Sequence, residues 1–106
     1  MILTNQIVNK LFNSEYLKGL YPMIDKIKTQ VLSDEDDPFP FYVFHIVVYL
    51  NDPKINNKNM YEKGLDPHHM IQNDLKQLLK MTGINTRDII QITITIIGAN
   101  GEVIYG

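Results

Sequence analysis

The chain has 106 residues, 44% hydrophobic and 21% charged, with a formal net charge of −2 and no cysteine. This is the length of one domain with enough apolar residues for a core, and the lack of cysteine excludes disulfides, thiolate metal sites, iron–sulfur ligation and a cysteine nucleophile. Arg87 is the sole arginine, which counts against nucleic-acid binding because the guanidinium supplies the planar fork that grips phosphates and base edges.

Residues 2–20 predict a helix. Ile7, Val8, Leu11, Phe12, Tyr16, Leu17 and Leu20 recur at three- and four-residue spacing, which makes one apolar stripe. Thr4 suits the N-cap, and Gly19 and Pro22 mark the end. Asn13 and Ser14 compete for backbone hydrogen bonds and so threaten an interruption. No apolar run is long enough for a membrane span, and the N-terminal "MILTNQIVNK" lacks the basic region and small-residue cleavage site of a signal peptide.

Residues 24–32 predict a strand, with Ile27, Thr29 and Val31 alternating against Lys26, Lys28 and Gln30. The stretch 33–40 holds two prolines and the acids Asp34 to Asp37 and is expected to be a loop. Residues 41–50, "FYVFHIVVYL", are apolar at both parities. That predicts a central strand covered on both faces and paired with 24–32 in an antiparallel hairpin. His45 lies mid-strand, where a buried, neutral, hydrogen-bonded imidazole is expected.

Residues 51–65 form a long connection with little regular signal. Asp66 to Met81 predicts a helix capped by Asp66, opened by Pro67 and closed by Gly83. Ile71, Leu75, Leu78, Leu79 and Thr82 make its buried stripe, with Met70 at the border. Residues 84–88 predict a turn or short helical piece. In 89–97, Ile90, Ile92, Ile94 and Ile96 face one way and Gln91, Thr93 and Thr95 the other. Asn100-Gly101 predicts a two-residue type I′ turn into a short edge strand, 102–105. Ile97 then faces Ile104, Ile96 faces Tyr105, and Val103 and Tyr105 join the isoleucine face. The order α-β-β-α-β-β gives an α+β two-layer sandwich in a single domain, with two helices on one face of a mostly antiparallel four-stranded sheet.

Chemical motifs are sparse. His68 and His69 adjoin Asp66-Pro67, but neighbouring helical residues point about 100° apart, so the pair cannot chelate as i, i+4 histidines do. They are expected to decorate the helix start, with a small metal-dependent enzyme using Glu62 as an alternative. Asp34 to Asp37 lack the alternation and glycine of a calcium loop. Gly98 to Gly101, "GANG", matches the GxxG of KH modules, and the α-β-β-α order resembles the start of a type II KH topology. Here the motif joins two strands without flanking lysines and is read as coincidence, although a small KH-like nucleic-acid-binding module stays as an alternative.

No cofactor, metal or catalytic residue is expected, and neither serine sits in a nucleophile-elbow context. The expected role is non-enzymatic: a structural or assembly component that binds other protein chains in a homo- or hetero-oligomeric complex. The Lys-, Asn- and Ile-rich composition, which AT-rich codon usage produces, makes a phage or other virus particle one such setting. The candidate partner contacts are Phe39 between two prolines, Met60, Tyr61 and Leu65 in the long loop, and Thr93, Thr95, Ile97 and Ile104 on the half-wet sheet face.

Overall fold

The computed structural model describes residues 5–33, 41–83, 87 and 89–106. In chain order its elements are α1 (Asn5–Phe12), α2 (Glu15–Leu20), β1 (Ile24–Ser33), β2 (Tyr42–Leu50), α3 (Pro67–His69), a π-helical segment (Met70–Leu75), α4 (Lys76–Met81), β3 (Ile89–Ile97) and β4 (Val103–Tyr105). The fold is α+β, with one sheet in the order β1-β2-β3-β4. The β1–β2 and β3–β4 pairs are antiparallel and β2–β3 is parallel. The expected cap Thr4, the acidic stretch Asp34 to Asp37, Phe39, and residues 84–86 and 88 lie outside the described residues.

The first helical stretch breaks at Asn13-Ser14, where side chain and backbone compete. Val8, Phe12 and Leu17 are buried, whereas Ile7, Tyr16 and Leu20 of the expected stripe are exposed. The helix's polar face explains the difference. Asn5, Asn9 and Asn13 stand four residues apart and lie along β1. The Asn5 Oδ1 accepts from Val31 N–H at 2.6 Å, the Asn9 Oδ1 from Thr29 N–H at 2.6 Å, and the Asn13 Oδ1 from Ile27 N–H at 2.8 Å. Asn13 Nδ2 also donates to the Ile27 carbonyl at 2.8 Å, so its amide replaces a neighbouring strand. Four helical residues advance about 6.0 Å and two strand residues about 6.7 Å, so the two repeats nearly match. This asparagine ladder closes the β1 edge, whose unpaired N–H groups would otherwise template another strand.

The second helical stretch starts as expected. Asp66 Oδ1 accepts from the backbone N–H groups of His68 and His69 at 3.0 and 3.3 Å, and Pro67 occupies the first position. Gly83 follows the end with φ +89°, the left-handed value that glycine adopts without a Cβ penalty. Between them the helix widens into the π-helical segment. One extra residue per turn rotates the N-terminal half of the stripe, so Met70 is fully buried and Ile71 moves to the border, reversing their expected places. The wide turn brings Met70 and Leu75, five residues apart, onto the core side.

The core lies between these helices and one face of the sheet. Ile24, Ile27, Phe44, Ile46, Val48, Leu50, Ile94 and Ile96 supply the sheet side. Among the described residues no layer covers the other face. The expectation that β2 is covered on both faces is therefore corrected: Val43, Val47 and Tyr49 are half-buried and His45 is exposed. Apolar residues at both parities here reflect a half-exposed apolar face.

The β3–β4 hairpin also differs from expectation. No described non-glycine residue has positive φ, which rules out a type I′ turn with Asn100 at its first central position. Instead Gly101 N–H donates to the Gly98 carbonyl at 2.9 Å, Gly98 N–H donates to the Glu102 carbonyl at 2.7 Å, and Gly101 has φ +88°. The loop therefore has three residues, Ala99 to Gly101. Ile97 pairs with Val103 rather than Ile104, and a register shift precedes the Ile96–Tyr105 pair. One extra residue moves a side chain to the opposite face. Ile104, expected outside, is 6% exposed in the core, and Val103, expected inside, is 63% exposed. Tyr105, also expected inside, is 38% exposed.

Residues 51–65 are ordered by their own asparagines. Asn56 Oδ1 accepts from the N–H groups of Lys58 and Asn59, Asn59 Oδ1 accepts from Asn56 N–H, and Asn59 Nδ2 donates to the Lys54 carbonyl. Such side-chain turns hold an irregular segment rigidly. They aim Ile55, Met60 and Leu65 into the core.

Candidate functional site

The open sheet face is built by strand alternation. Residues that face the core on β1, β2 and β3 force their neighbours outward. Cross-strand register then aligns them in rows: Leu32–Val43–Gln91, Gln30–His45–Thr93, Lys28–Val47–Thr95 and Lys26–Tyr49–Ile97–Val103. The centre is apolar and β-branched. One corner is cationic, with the Lys26 and Lys28 ammonium groups 5.0 and 5.6 Å from the centroid of the Tyr49 ring. His45 Nδ1 lies 2.7 Å from Thr93 Oγ1. None of the residues in these rows is Asp or Glu, so the face can receive negative charge at its lysine corner and apolar groups at its centre.

The expected contacts divide by burial. Thr93, Thr95 and Ile97 lie half-exposed on this face. Ile104 does not, for the register reason above. Met60 is 1% exposed and Leu65 is fully buried, so both plug the chain's own core; Tyr61, 60% exposed, is the member of that trio open to another molecule. The sequence reading omitted Lys26, Lys28, Val47 and Tyr49 from the face. The signal was the alternation of Lys26, Lys28 and Gln30, which in a hairpin with 41–50 fixes which parity of β2 turns outward.

A second feature surrounds the π-helical segment. A polar groove of about 440 Å³ is lined by Tyr16, Gln72, Asn73, Asp74, Lys76, Gln77 and Lys80. Beneath it the Tyr21 hydroxyl donates to the Asp74 carboxylate. Burial of the phenol, then the Asp74 hydrogen bond and charge, push its pKa well above the ordinary tyrosine value. This bond ties α2 and the start of β1 to the wide helical turn. His68 and His69 are exposed, and His69 Nδ1 is 2.9 Å from Asn73 Nδ2. Among the described residues no three His, Cys, Asp or Glu side chains gather as a metal site requires, and no helix is long and apolar enough to cross a membrane.

Comparison of the chain with protein-family models, with curated proteins and with solved structures finds no match.

Proposed function

We propose that this protein is a non-enzymatic assembly component that binds an acidic surface of another protein through its open sheet face. The supporting observation is that a four-stranded sheet has one layer of helices on one side and, among the described residues, no layer on the other. The uncovered side carries Val43, Val47, Tyr49 and Ile97 half-exposed, beside two lysines, with no acid in its cross-strand rows among the described residues. Apolar area of this kind, ringed by Gln, Thr and Lys, matches the composition of protein contacts. A phage or other virus particle is the setting proposed for the assembly, on composition alone.

The test is isolation of the native chain with its neighbours, followed by cross-linking to map contacts. Lysine cross-links from Lys26 and Lys28 to an acidic segment of a co-isolated chain, lost in Val47→Glu at unchanged thermal stability, support the reading. Recovery as a lone chain, or cross-links confined to the helical side, refutes it.

One observation favours a second reading. Two lysines over a tyrosine on an open sheet also suit stacking of a single-stranded nucleic acid. Fluorescence anisotropy with labelled oligonucleotides across a salt series separates the two, because phosphate contacts give a steep salt dependence.

A further inference from the structure

The two edges of the sheet are treated differently. The β1 edge is sealed by the asparagine ladder. On the other side β3 pairs with β2 from Ile89 opposite Tyr42 to Ile97 opposite Tyr49, with a register shift that passes over Ile90, but β4 covers only Ile96 and Ile97. Gly106 then packs against Thr95: a Cβ built on it would sit 2.8 Å from Thr95 Oγ1. Among the described residues no strand lies beside 90–94 on that side.

The backbone there is aimed outward. Gly98 N–H donates to the Glu102 carbonyl, so it points toward β4. By two-residue alternation the N–H groups of Ile94 and Ile92 point the same way, into the lane that β4 leaves empty. That lane is a groove of about 390 Å³ lined by Ile71, Ile92, Thr93, Ile94, Tyr105 and Gly106. β3 has no lysine, no proline and no inward charge to defend this edge, and its one register shift against β2, at Ile90, lies at the far end of the lane.

We propose that β3 pairs antiparallel with β3 of a second copy of this chain, across a two-fold axis at Ile92. The occupant follows from charge and pattern. The run from Ile89 to Asn100 contains no charged residue, so two copies meet without burying an unpaired charge in an uncharged groove. Residues 90–94, Ile-Gln-Ile-Thr-Ile, place isoleucine at alternate positions in either direction, which is the self-complementarity that a two-fold interface needs. The axis falls at Ile92 because Gly106 fills the lane at Thr95. In this register Ile92 faces its own copy and Gln91 faces Thr93 of the other chain. The product is one continuous eight-stranded sheet. The proposal uses an edge, not the open face, and stands whether or not that face binds a partner.

Sedimentation equilibrium of the full chain over a concentration series is expected to show a monomer–dimer equilibrium. The chain has no cysteine, so Ile92→Cys is expected to give a disulfide-linked dimer on mild oxidation: facing Cα atoms in such a pair lie about 5.5 Å apart, within disulfide range. Lys28→Cys, in β1 away from that edge, is expected to form no disulfide-linked dimer under the same oxidation. Gln91→Lys with Thr93→Lys sets like charges opposite each other and is expected to lower the association constant at least tenfold. Gln91→Glu with Thr93→Lys sets opposite charges there and is expected to restore association. A wild-type monomer at every concentration, or a dimer indifferent to the two charge pairs, overturns the proposal.

Discussion

Replacing the asparagines of the α1 ladder one at a time separates edge sealing from helix propensity. Asn13→Ala removes two bonds to Ile27, at 2.8 Å each, and a third to the Asn9 carbonyl at 2.7 Å, which still accepts from the Asn13 backbone N–H and so adds little. Each bond to Ile27 is worth about 1 kcal/mol net, and more where a half-buried backbone group loses its partner, so a loss of about 2 kcal/mol is expected. Asn13 lies between α1 and α2, so alanine's helix propensity returns nothing. Asn9→Ala loses one part-buried bond, about 1 kcal/mol, and regains about 0.5 kcal/mol inside the helix. Asn5→Ala loses an exposed bond and is expected near zero, because water replaces an exposed partner. Urea denaturation at unchanged m-value measures the series. Hydrogen exchange at the Ile27 and Thr29 amides gives a local check, with the ladder variants exchanging faster. Asn9→Asp keeps its acceptor oxygen and should be neutral, whereas Asn13→Asp loses its donor to the Ile27 carbonyl and should not. If the three alanine variants are equally stable, or Asn13→Ala lies within about 0.5 kcal/mol of wild type, the ladder does not seal the edge.

Met60→Ala is expected to cost about 2–5 kcal/mol by opening a core cavity, while Tyr61→Ala beside it stays within about 0.5 kcal/mol; thermal melts of both check the placement of that loop. Gly101→Ala is expected to cost about 1–2 kcal/mol for its left-handed backbone, and Asn100→Ala little, whereas a type I′ turn would penalise both. For Tyr21 the phenol pKa is raised in the folded state, so the folded chain holds its proton when the unfolded one releases it. That stabilisation is complete below about pH 10 and is lost as pH rises beyond it, with a slope of about 1.4 kcal/mol per unit for one proton. Denaturation of Tyr21→Phe between neutral and alkaline pH should show less stability at neutral pH, from the lost Asp74 bond, and a shallower alkaline decline than wild type.

Periodicity reveals most of the architecture because burial imposes it. The alternating Ile27, Thr29 and Val31, the row Ile92, Ile94 and Ile96, and the caps Asp66 and Gly83 all stand where their local chemistry places them. What periodicity misses are one-residue events. The π-turn exchanges Met70 with Ile71, and the bulge before Ile104 exchanges it with Val103. Neither changes the composition of its segment, and both are set by packing across the core. The parallel β2–β3 pair is a similar case, since strand pattern carries no direction. The candidate surface was half legible: Thr93, Thr95 and Ile97 follow from alternation in β3, but Val43 and Val47 make β2 look buried on both sides. The Asn5, Asn9, Asn13 spacing was present in the sequence, yet polar residues at helical spacing ordinarily signify only a wet face.

A helix laid along a strand acts as a vernier, because its steps fall short by about 0.7 Å at every contact. A fourth asparagine would sit about 2 Å out of phase with the first, farther than a hydrogen bond stretches. This manner of closing a sheet therefore has a built-in maximum length, and the kink after Phe12 comes where that length is used up.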